Sequence, residues 1–164
     1  MNSHAAERVK RERRSCADTC LSTLSNVIDR PTFVWRADVA REALDVATGA
    51  LAEEDAVSSR LWPEAMSRAT DVVLDGFEAD VASLVERRWE PATDTGILEV
   101  VERTIRALNA VNDRFDGAAF ETDERELLCA YVDRVLETAG IEPDDLARRN
   151  GISSGDITGP WRDW

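Results

Sequence analysis

The chain has 164 residues, a mass of 18.2 kDa and a net charge of −13, with 43% hydrophobic and 32% charged residues. A chain of this length buries roughly 70% of its unfolded surface in one core, so it needs no disulfide or metal to fold, and the composition excludes a disordered polymer. No apolar run approaches the ~18 residues of a membrane span, and the charged start lacks the apolar stretch of a secretory signal, so a cytoplasmic location is expected.

Residues 1–14 hold Arg8, Lys10, Arg11, Arg13 and Arg14 against Glu7 and Glu12, a basic arm of net +3 that leaves −16 on the rest of the chain. Such an arm can touch nucleic acid, or lie on the acidic surface of its own chain or a second copy. The latter needs no external ligand and is preferred. Of the 20 basic residues only Lys10 is lysine, a bias that points to genome composition and a high-GC bacterial source.

The first helix is predicted over 5–28, with Val9, Cys16, Cys20, Leu21, Leu24, Val27 and Ile28 recurring at helical steps. Cys16 and Cys20 read as small buried thiols. Zinc is not expected, because a metal site wants more ligands and the only histidine is His4, near the end of the segment. Pro31 ends this helix, and Thr32-Phe33-Val34-Trp35 reads as an extended connector. A second helix is predicted over 38–57, capped by Asp38, with Val39, Ala43, Ala47, Ala50 and Leu51 inward. A third spans 63–88, with Met66, Ala69, Val73, Phe77, Val81 and Leu84 in one phase that runs unbroken through Asp75-Gly76. The fourth, 95–115, carries Ile97, Val101, Ile105, Leu108, Val111 and Phe115 and is the central helix.

Thr122 caps the fifth helix, 122–139, whose Leu128, Tyr131, Val132, Val135 and Leu136 face inward, and Gly140 stops it. Pro143 opens a short sixth helix over 143–149 that Asn150-Gly151 closes. The tail 152–164 ends in Trp161 and Trp164, which predicts docking on the body. The fold class is therefore all-α: one domain over 1–164, a bundle of about five main helices, a short C-terminal helix and a docked tail. Trp35, Trp62 and Trp89 recur every 27 residues, a rhythm read as one Trp wedged before each helix.

Leu146-Ala147, Gly151-Ile152-Ser153 and Ile157 resemble the centre of a helix-turn-helix DNA-binding motif. The resemblance covers twelve residues and implies a DNA-binding regulator. It departs where Gly155, Gly159 and Pro160 interrupt the would-be recognition helix, which offers Asp156 and Asp163 against Arg162 alone. Nucleic acid is accordingly not the expected partner. Asp71, Asp75 and Glu78 share one side of the third helix and are the weak candidates for a hard metal or acid–base pair, although a solvated helix face shows such rows by default. In-helix ion pairs are expected for Glu64–Arg68, Glu99–Arg103 and Glu102–Arg106.

Gly-rich phosphate loops, nucleophile elbows and dinucleotide fingerprints do not occur, and no cofactor is implied. The leading expectation is a non-enzymatic interaction module that binds a basic protein, in the manner of a small inhibitor or immunity protein. Glu121, Asp123, Glu124, Trp161, Arg162 and Trp164 are its candidate contact residues. The alternatives are a small-ligand binder or carboxylate enzyme with a pocket near Tyr131 and Cys129, and the DNA-binding regulator. A homodimer would follow from any exposed apolar helix face.

Overall fold

The computed structural model describes residues 29–86, 92–115, 117 and 119–164. The helix predicted over 5–28, the basic arm, Cys16, Cys20, His4 and Trp89 lie outside these residues.

Every regular element among the described residues is helical: α1 (Pro31–Thr48), α2 (Ser58–Leu61), α3 (Glu64–Val85), α4 (Asp94–Arg114), α5 (Thr122–Thr138) and α6 (Pro143–Arg149), with 3-10 turns at Glu53–Asp55 and Gly159–Trp161. The all-α bundle is thus the fold. No helix among the described residues is long and apolar enough to cross a membrane.

α4 packs along α3 at the centre and buries Ile97, Val101, Ile105 and Leu108, with the polar Thr104, Asn109 and Asn112 buried beside them. Thr93 caps it by accepting the Gly96 amide at 3.1 Å. α3 runs through Gly76 without a break, as its apolar phase requires, and buries Met66, Leu74, Phe77 and Val81. α5 contributes the five inward residues expected of it, and α6 has the predicted bounds. Full burial of one such side chain stabilises by about 1.5–3 kcal/mol, so this shared interior holds the bundle.

The region before α3 departs from expectation. Thr32–Trp35 is not a connector but the first turn of α1, with Pro31 at the first helical position, where its fixed φ and missing N–H suit a helix start. Trp35 lies inside α1 rather than ahead of it and is 1% exposed. Its ring stacks on Trp62 with centroids 6.3 Å apart and an interplanar angle of 13°. That long-range burial outweighs the strand preference of Thr, Phe, Val and Trp. Asp38 is consequently mid-helix and pairs with Arg41 at 2.6 Å instead of capping. α1 stops at Thr48 because Gly49 adopts φ 75° and lets the Ala50 amide reach the Asp45 carbonyl at 2.8 Å. Ala43, Ala47 and Ala50, expected inside, are exposed, since the second half of α1 extends past the core.

The tail docks. Ile157 and Thr158 are buried, and Trp161 and Trp164 pack against the core. Ser153–Thr158 forms turns and no helix follows α6 except the single 3-10 turn, so the recognition helix of a helix-turn-helix is not formed.

Candidate interaction site

Three of the six expected contact residues meet in one place. Glu121, Asp123 and Glu124 line a cleft of about 250 Å³ together with Thr122, Ala119, Leu61 and Trp62. Local structure explains why. Asn112, buried on the last turn of α4, accepts the amides of Ala119 and Phe120 on Oδ1, both at 3.2 Å, and donates from Nδ2 to the Gly117 carbonyl at 3.1 Å. One side chain thereby fixes the turn that leads into α5. Trp62 Nε1 donates to the Ala119 carbonyl at 3.4 Å and joins this turn to the start of α3. The expected cap is shifted: Glu121, not Thr122, is the N-cap, and no side chain caps the helix.

The rim is acidic and exposed at Glu121 and Asp123, and half-buried at Glu124. Among the described residues no Arg forms an ion pair with any of the three, whereas Asp75 and Asp80 on α3, Glu102 on α4 and Asp145 on α6 are each paired with one. The macrodipole of α5 places about half a positive charge at the same spot, which steadies Asp123 and Glu124 but cancels only a fraction of three negative charges. Leu61 and Trp62 share the lining with them and add apolar surface to it.

The other three expected contact residues are spent within the chain. Arg162 Nη1 donates to Asp156 Oδ1 and Thr158 Oγ1, each at 2.7 Å, and reaches Cys129 Sγ at 3.2 Å. Its guanidinium carbon also lies 5.6 Å from the Trp164 ring centroid. Trp164 meets Phe120 edge-on at 5.5 Å, and Phe120 in turn meets Trp35 at 5.5 Å. Trp62, Trp35, Phe120 and Trp164 form a continuous aromatic seam from the cleft wall to the tail. Asn109 Nδ2 clamps the tail from α4 by donating to the Trp161 carbonyl at 2.8 Å and to Asp163 at 2.9 Å.

Asp71, Asp75 and Glu78 do converge, but on a guanidinium. Arg30 lies 2.7 Å from Asp75 and 2.6 Å from Glu78, and Arg36 lies 2.9 Å from Asp71. Thr32 donates to Asp71 and the Tyr131 hydroxyl to Glu78. Burial opposes the charge of Arg30, yet its hydrogen bonds to Asp75 and Glu78 hold it still more firmly protonated than a free arginine. Burial, reinforced by Glu78, pushes the Tyr131 phenol up. No group of three potential ligands among the described residues is arranged to hold a metal ion. Tyr131 and Cys129, expected to border a ligand pocket, face Glu78 and the tail respectively and do not line the cleft.

The arginines that would mark a DNA-binding stripe are also neutralised. Arg148 pairs with Asp145 at 2.7 Å, Arg149 with Asp94 at 2.9 Å through two bonds, and Arg162 with Asp156. Of the three predicted in-helix pairs, Glu102–Arg106 forms at 2.8 Å and Glu64–Arg68 is loose at 4.0 Å, while Arg103 reaches across to Asp80 on α3 at 2.7 Å instead of to Glu99.

A second concentration of acids surrounds Asp133 on α5. Burial first, then the charges of Glu137, Asp144 and Asp156, raise this carboxyl to about 6. Comparison of the chain with family models, with curated proteins and with solved structures returns no match.

Proposed function

We propose that this is a cytosolic, non-enzymatic interaction module that receives a basic side chain of a protein partner in the cleft at the head of α5. The observation that carries the reading is the meeting, in one cleft with Leu61 and Trp62, of three carboxylates that no arginine pairs with among the described residues, while Arg30, Arg103 and Arg149 are each held by other carboxylates. A net charge of −13 adds long-range steering, so association is fast and weakens with salt. Arg148, Arg149 and Arg162 each hold a carboxylate, which argues against nucleic acid as the partner.

Affinity capture at low and high salt tests the reading. The wild-type chain should retain a basic protein at low salt and release it at high salt. The variant E121Q/D123N/E124Q should retain none. Equal capture by both chains would contradict the assignment of the cleft.

A further inference from the structure

α1 carries a second feature, on a different face. Phe33, Ala37, Ala40, Leu44 and Ala47 follow one another at steps of four, three, four and three. This is the seam of a helix that packs against another helix. All five are exposed among the described residues, Phe33 by 68% and Leu44 by 62%. A monomer rarely leaves a complete helical seam in water.

The sequence ahead of α1 holds a matching seam. Ala17, Leu21, Leu24 and Ile28 follow at steps of four, three and four. Only Asp29 and Arg30 separate that segment from α1, the connection length of an antiparallel helical hairpin. Antiparallel pairing across so short a link sets the register: Ile28 opposite Phe33, Leu24 opposite Ala37, Leu21 opposite Ala40 and Ala17 opposite Leu44. Leu24 and Leu21 fall on alanines of α1 and Ala17 falls on Leu44, so three of the four pairs set a large residue against a small one.

Charge agrees with the same register. It brings Arg14 and Arg13 to the last residues of α1 and carries Arg11 and Lys10 just past its C-terminal end. That end has no basic residue in its last turn, and Glu53, Glu54 and Asp55 follow after four intervening residues. A basic cluster there complements both the acids and the negative end of the helix dipole.

We infer that the exposed seam of α1 is a docking surface for the chain's own segment 17–28, laid antiparallel along it, with the basic arm seated on Glu53–Asp55. The inference is independent of the cleft at the head of α5.

Proximity cross-linking in the full chain tests it. In a C16S/C20S/C129S background, L21C/A40C should be bridged within one chain by dibromobimane at least about tenfold faster than L21C/A79C, whose second site lies on the exposed side of α3. Equal rates would overturn the inference. So would bridging only between two chains, which would assign the seam to a second copy. As a check that does not require cysteines, Leu44→Glu should speed amide exchange over residues 17–28 about tenfold while leaving α4 protected. Unchanged exchange over that segment would equally overturn it.

Discussion

The C-terminal tail and the head of α5 lie side by side, joined through Phe120, and their residues meet opposite fates. The tail offers Trp161, Arg162 and Trp164, residue types that dominate binding hot spots, and the fold consumes them: Arg162 holds Asp156 and Thr158, and Trp164 ends the aromatic seam. The head of α5 offers Glu121, Asp123 and Glu124, types that ordinarily coat a surface, and among the described residues they stand free around a shaped cleft. Side-chain chemistry alone does not separate a residue that faces a partner from one that faces its own chain. What separates them is whether the fold already supplies the complementary group.

Substitutions on the two sides of Phe120 should therefore differ in kind. The largest loss is expected at the shared seam: Phe120→Ala removes a 3% exposed ring packed between Trp35 and Trp164 and should cost about 3–5 kcal/mol in denaturant unfolding. Next comes Arg162→Ala, which leaves Asp156 without its cation and should cost about 1–3 kcal/mol. Its signature is regional, with amide exchange over the tail quickening well before that of α4. A cost equal to that of Phe120→Ala, with all helices loosened together, would blur the distinction between a clamp and a core.

The carboxyl of Asp133 supplies a third expectation. With its folded-state value raised from 3.8 to about 6, the fold favours its protonated form. The cost of its charge is absent below about pH 4, grows as pH rises to about 6 and is complete above that. Asp133→Asn should thus stabilise the protein at pH 7 by about 1 kcal/mol, after allowance for solvent around a half-buried group, and change little at pH 4. The smallest effect belongs to E121Q/D123N/E124Q. Losing the dipole contacts of Asp123 and Glu124 should cost under about 1 kcal/mol in thermal unfolding. A large loss there would recast the acids as structural.

Much of this was legible from residue order. α5 and α6 follow from apolar period and from Gly140, Pro143 and Asn150-Gly151, because their boundary signals act locally and agree with one another. The start of α1 departs from the sequence expectation because Pro31 has two meanings: it ends a preceding helix or opens a following one. The deciding contact, Trp35 on Trp62, is remote in sequence. Gly49 is a local stop, but the apolar phase through Ala50 and Leu51 masked it. At the cleft the acids were legible and the wall was not. Asn112 carried a usable signal, since an amide in phase with Leu108 must find partners once buried, and it finds them in the turn that shapes the cleft. Trp62 carried none, because its neighbour Ala119 is far along the chain.

The measurement closest to the central claim is an NMR titration of the full chain with a short arginine-rich peptide. The account predicts shifts confined to the Trp62 indole and the amides of Leu61, Trp62 and residues 119–124, abolished in E121Q/D123N/E124Q and largely lost in about 0.5 M salt. Shifts centred on Glu53–Asp55, or spread evenly over all acidic surfaces, would contradict it.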